Sequence, residues 1–124
     1  MVRKSSIRKG SKEEHDRIVR DTLILLGREA HQLCRVWEHP TGQAYRDHPS
    51  GWREHIRYGL PGSSDIIGIL ITSKFLALEI KSGNAKQQPN QLAFESMIKR
   101  FGGFYFIVRS ADEALFYVLQ AASQ

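Results

Sequence analysis

Two apolar runs set three residues apart do most to decide what this chain can fold into: Ile66-Ile67-Gly68-Ile69-Leu70-Ile71 and Phe75-Leu76-Ala77-Leu78. Their length and β-branched content read as strands, and the Thr72-Ser73-Lys74 break reads as a hairpin turn. Both runs are continuous rather than alternating, so helices are expected over both faces of the hairpin. A chain of 124 residues holds one core of this kind and no second domain.

Helical and strand signals flank the hairpin on both sides. Ser11-Lys12-Glu13-Glu14 fits a capping box, and Ile18, Thr22, Leu25 and Leu26 follow on one helical face. Leu33 to Trp37 alternates as a half-buried strand does. From Glu38 to Ser64 the chain is rich in His, Gly, Pro, Arg and Ser and reads as a long connection. Pro89 suits the first turn of a helix carrying Leu92, Phe94, Met97 and Ile98, which Gly102-Gly103 ends. Phe104 to Val108 is a further buried strand, and Ser110 with Glu113 caps a last helix from Ala111 to about Gln120. The order αβββαβα predicts an α/β fold, a mixed central sheet flanked by helices, with a right-handed parallel crossover from Phe75 to Val108.

Charge is unevenly placed. Lys and Arg number 18 against 13 Asp and Glu, and five of the bases (Arg3, Lys4, Arg8, Lys9, Lys12) precede the first acid. The chain therefore divides into a flexible basic tail over 1–10 and a single domain over 11–124. Such a tail is either an arm that binds a polyanion by counterion release or a solubilising terminus. No apolar run approaches the roughly 20 residues that span a bilayer, and no signal-peptide pattern follows the basic start, so neither a membrane protein nor secretion is expected. The lone Cys34 cannot form an internal disulfide and fits a reducing, cytoplasmic compartment, as a buried structural thiol.

The chemical anomaly lies in FLALEIKS. Glu79 and Lys81 share a face at the end of a strand otherwise built for a core. A buried charge left unpaired costs several kcal/mol, so these groups need partners, a metal or water. Antiparallel pairing about Ser73 would bring Asp65 opposite the region of Lys81 and Ser82. Two carboxylates and a backbone carbonyl suit magnesium or manganese, and the lysine would orient a water or offset charge on a phosphoryl group. A structural ion pair at a strand end satisfies the same spacing. The five histidines lack zinc-ligand spacing and read as surface or core-lining residues. The stretch 38–57 sets Trp37, Tyr45, Trp52 and Tyr58 among Arg46, Arg53 and Arg57, either as contacts to nucleic acid or as a flap with a solvated rim.

Three segments in order, YGLPGSSDIIG, LALEIKSGNAKQQPNQ and GGFYFIVRS, closely resemble the virus-type replication-repair nuclease (VRR-NUC) domain of the PD-(D/E)xK superfamily, from about Glu13 to Ser110. The resemblance implies a restriction-endonuclease-like αβββαβ core and a metal-dependent structure-selective DNA endonuclease. It implies Asp65 and Glu79 as metal-binding acids, the Ile80 carbonyl as a main-chain ligand, Lys81 as the catalytic lysine and Gln91 as a nearby site residue. A glutamate of the first helix completes such sites: Glu14 is the choice, Glu13 the alternative, and the capping box competes for Glu14. Magnesium or manganese is the implied cofactor. The implied partners are branched DNA such as Holliday junctions and a second copy of the chain, in DNA repair in a bacterial or phage-infected cell. The dimer interface is expected at the C-terminal aromatics or at Trp52. Arg3, Lys4, Arg8, Lys9, Arg57, Tyr58 and Lys86 are the expected DNA contacts. A monomeric flap or single-strand nuclease and a non-catalytic nucleic-acid-binding module are the alternatives.

Overall fold

The computed structural model describes residues 7–124. Helix α1 (Lys12–Glu29) starts where the capping box puts it: the Ser11 Oγ accepts from the Glu14 N–H, and the Glu14 carboxylate accepts from the Gly10 N–H. It runs through Gly27. Ile18, Val19, Thr22 and Leu26 form its buried stripe. Strand β1 (Cys34–Glu38) pairs with β4 (Ile66–Leu70), β4 with β5 (Phe75–Ile80), and β5 in parallel with β6 (Phe104–Val108), in the sheet order β1-β4-β5-β6. Helix α2 (Pro89–Arg100) connects the two parallel strands, and α3 (Ala111–Ala122) closes the chain behind its Ser110 cap. The fold is α/β, a mixed sheet flanked by three helices. No helix among the described residues is long and apolar enough to cross a membrane.

Alternation along the strands divides two clusters. Cys34, Ile66, Leu70, Leu76, Leu78, Ile80 and Val108 face α1 and α3 and make the main core with Leu26 and Val118. Each fully buried aliphatic side chain there contributes about 1.5–3 kcal/mol. Ala77 and Tyr105 face α2, where Phe94 and Ile98 cover them. The expectation that both faces of the hairpin are covered holds only in part. Helix α2 reaches β5 and β6, and the row Trp37, Ile67, Ile69 and Phe75 continues past it, with Trp37 52%, Ile69 48% and Phe75 39% exposed. Gly68 lies in the same pair of strands for a separate reason: a Cβ there would strike the Arg35 carbonyl and Val36 of β1.

Two further features differ from the sequence reading. The hairpin turns one step tighter: Ile66 aligns with Leu78 and Ile69 with Phe75, so Asp65 falls beside Glu79 rather than opposite Lys81 and Ser82. The connection 38–64 is not structureless. It contains a second, two-stranded sheet, β2 (Gly42–Asp47) with β3 (Arg53–Tyr58), in which every β2 residue is exposed. Sequence periodicity misses it because a ribbon without a buried face carries no apolar alternation. The His39 N–H donates to the Asp65 carbonyl at 2.7 Å and closes the neck of this insertion between the adjacent strands β1 and β4.

Candidate metal centre

Asp65 enters the site from the glycine-rich loop before β4. That loop needs its glycine: Gly62 has φ +80°, and a Cβ would collide with the backbone of Asn90 at the start of α2. The buried Ser64 donates to the Ile66 carbonyl at 2.9 Å, fixing the step into the strand. Asp65 Oδ2 then accepts from the Ile80 N–H at 2.8 Å and faces His15 Nε2 at 3.2 Å. Glu79, 3% exposed, stands beside it on β5. One donor atom from each of His15, Asp65 and Glu79 lies within 4.8 Å of the others, and no other such group occurs among the described residues.

The electrostatics are those of a site short of positive charge. Burial, then a hydrogen bond and repulsion from Asp65, pushes the Glu79 carboxyl up to about 9. Its Oε2 is sealed from water with no partner among the described residues. Burial also acts to raise Asp65, but the bonds from His15, Glu79 and the Ile80 N–H outweigh it and hold Asp65 below the usual carboxylate range. The hydrogen bond to Asp65 raises His15 against its own desolvation. Metal-binding histidines commonly give their second ring nitrogen to a carboxylate, which leaves the first to face the metal. His15 has that arrangement, with Nδ1 3.4 Å from Asp16, which Lys12 in turn holds at 2.7 Å. The orphaned Glu79 oxygen, the acid pair and the oriented imidazole together fit a divalent cation. Ile80 fits too: the N–H and C=O of a strand residue leave on the same side, so its carbonyl opens toward Asp65.

Lys81 follows directly. Its N–H bonds the Val108 carbonyl, and its ammonium donates to Gln91 Oε1 at 2.8 Å. Gln91 Oε1 also accepts from the Gln88 N–H at 2.8 Å, closing the cap of α2. One side-chain oxygen therefore starts a helix and aims a lysine. Arg109 ties the following loop down through the Gly83 and Ala85 carbonyls, both at 3.0 Å.

The structure thus brings Asp65, Glu79, Ile80, Lys81 and Gln91 together and corrects the contribution of the first helix. Glu14, at the third helical position, spends its carboxylate on Gly10, and neither it nor Glu13 joins the cluster; His15 does. His15, read with the other four histidines as a surface or core-lining residue, is half-buried and also stands in the group that could hold an ion. The missed signal was its spacing, four residues before Val19 and eleven before Leu26 on the buried stripe. Of the expected DNA contacts, Arg8, Lys9, Arg57, Tyr58 and Lys86 are exposed, and Arg3 and Lys4 lie outside the described residues. The end of the basic tail is fastened near the site: the Arg8 carbonyl accepts from the Ser11 N–H, and Gly10 touches Gly83. Cys34 is buried, as expected, and its thiol points to the Ala30 carbonyl. Neither family models nor curated proteins give a match to this chain.

Proposed function

We propose that this chain is a metal-dependent endonuclease that hydrolyses phosphodiester bonds in DNA. The observation that carries the reading is the convergence of His15, Asp65 and Glu79 two residues from a lysine whose ammonium is held in place by Gln91. Binding alone needs no buried acid pair facing a polyanion. His15, Asp65, Glu79 and the Ile80 carbonyl would hold the cation. A bound Mg2+ or Mn2+ supplies charge to the phosphoryl oxygens and lowers the pKa of the attacking water. Lys81 orients that water and stabilises the negative charge that develops on phosphorus-bound oxygen. Gln91 keeps the ammonium from folding back onto the acids. An imidazole among oxygen donors favours Mn2+ over Mg2+, which prefers an all-oxygen shell.

The chain acts, in this reading, as a homodimer on branched DNA, since a two-fold dimer presents two sites to two strands. The uncovered row of Trp37, Ile69 and Phe75, continued by Phe101 at 74% exposure, supplies an apolar centre for the interface. Phe101 belongs to the C-terminal aromatics expected there, and Trp52, the other expected place, is exposed as well, with one face stacked on His48 at 3.8 Å. Incubation with labelled four-way junction, flap, duplex and single-stranded DNA, with and without Mn2+, tests the activity, and sedimentation tests the dimer. Metal-dependent cutting with a preference for the junction is expected. No cleavage of any DNA would refute the nuclease reading, and a monomer cutting flaps equally well would refute the dimer alone.

A further inference from the structure

The β2–β3 ribbon has two unlike faces. On one, Ala44 and Ile56 pair, Arg46 and His48 converge on Glu54 at 3.8 and 2.9 Å, and Tyr58 covers Gly42. That face is internally neutralised and partly covered. On the other, Gln43 lies beside Arg57, Tyr45 beside His55, and Asp47 beside Arg53, all of them exposed. The Tyr45 and His55 rings stack at 5.0 Å, and the Arg53 guanidinium lies 5.7 Å over Tyr45 while bonded to Asp47. His55 Nε2 meets the Gln43 side-chain oxygen. Arg57 has no acidic partner among the described residues. At the foot of this face a cleft of about 330 Å³ separates Arg57 and Gln43 from Asn90, the residue before Gln91.

We infer that the Gln43–Tyr45–Arg53–His55–Arg57 face of the ribbon binds the phosphodiester backbone of duplex DNA and leads one strand toward Lys81. The inference rests on the nuclease reading for the identity of the strand, and the ribbon supplies the rest. Arginine, tyrosine and glutamine side chains are the usual donors to DNA phosphates. A two-stranded ribbon has the width of the major groove. The face has a single acid, Asp47, already bonded to Arg53, and exposed pairs of that kind are held by about 1 kcal/mol or less, so a phosphate can replace it. A protein partner would call for an apolar centre, and this face has none beyond the Tyr45 ring.

The test is fluorescence anisotropy with a labelled DNA duplex across a salt series in EDTA, with Mn2+ titration calorimetry on the same proteins. Arg57→Ala is expected to weaken binding about fivefold to tenfold near 0.1 M salt and to reduce the log–log salt slope by about 0.9; adding Arg53→Ala repeats the effect. Arg46→Ala, on the neutralised face, controls for general loss of charge and is expected to keep the wild-type slope. Mn2+ binding should be the same in all variants. Unchanged affinity and slope in the double variant, an equal loss in Arg46→Ala, or tighter binding of an RNA duplex would each overturn the assignment. Wild-type protein that binds no duplex would overturn it as well. Failure of the nuclease reading looks different: duplex binding that depends on Arg57, with no Mn2+ binding and no cleavage.

Discussion

Replacing Glu79 with glutamine should make the metal-free protein more stable, although it removes a central residue of the site. In the wild type the folded state keeps the Glu79 proton up to about pH 9, whereas the unfolded chain releases it near 4.5. A folded-state pKa above the unfolded value means that the contribution of this group to stability is fully present below about pH 4.5 and is lost as pH rises toward 9. One proton gives a slope of about 1.4 kcal/mol per pH unit. Over the 2.5 units from 4.5 to pH 7 the loss approaches about 3 kcal/mol, an upper bound. Glutamine has nearly the shape of the protonated carboxyl and no proton to lose, so Glu79→Gln escapes that loss. For a chain of this size 1 kcal/mol moves Tm by about 3–5 °C, so the variant should melt up to about 15 °C higher at pH 7 in EDTA. The two melting curves should converge near pH 5. Millimolar Mn2+ should reverse the order, raising Tm of the wild type by mass action and leaving the variant where it was. The assay is thermal denaturation at several pH values with and without Mn2+. Metal-free Glu79→Gln melting at or below the wild type at pH 7, with parallel pH profiles, would show that Glu79 is not the strained acid described.

Three other outcomes follow from the same geometry. Lys81→Ala should abolish cleavage while Mn2+ binding and DNA binding persist, because the ammonium bonds Gln91 rather than the acids; near wild-type cutting would remove Lys81 from the reaction. Mn2+ binding at pH 7 should release about one to two protons, from Glu79 and partly from His15, and tighten as pH rises. Calorimetry in buffers of different ionisation enthalpy reads the number directly, and a value of zero contradicts the raised pKa values. Gly68→Ala should cost about 1–3 kcal/mol by pressing a methyl group into the Arg35 carbonyl, seen as a drop in Tm without change in metal affinity.

The core and much of the site are legible in the sequence because both are written in local patterns. The apolar runs, the proline at Pro89, the double glycine at 102–103 and the caps at Ser11 and Ser110 each specify backbone geometry through nearest neighbours, and the elements start and stop close to them. Glu79 and Lys81 stand out because charge in a core strand is costly wherever the partners come from. What fails depends on distance. Glu14 and His15 both lie on the inner stripe of α1, and the choice between them follows from where Asp65 arrives, fifty residues later. The capping box contained the answer in part, since a third-position glutamate bonded back to the helix start is not free to turn inward. The register of β4 against β5 turned on one residue in the Ser73 turn, and the β2–β3 ribbon left no periodic trace.

The ribbon's attachment has a consequence for how such a protein changes over time. Strands β1 and β4 are neighbours in the sheet, and everything from Pro40 to Ser64 is an excursion between them, cinched by the His39–Asp65 bond. The ribbon contributes no strand to the main sheet, so the part of the excursion from Pro40 to Tyr58 can change in length and composition like a tool head. Gly62 against Asn90 and Ser64 bonded to Ile66 keep the last residues before Asp65 in place. The ribbon and the sheet that carries the acids are separate sheets on a single small chain. They join at the neck, where the carbonyl that accepts from His39 belongs to Asp65, whose carboxylate stands among the candidate metal ligands.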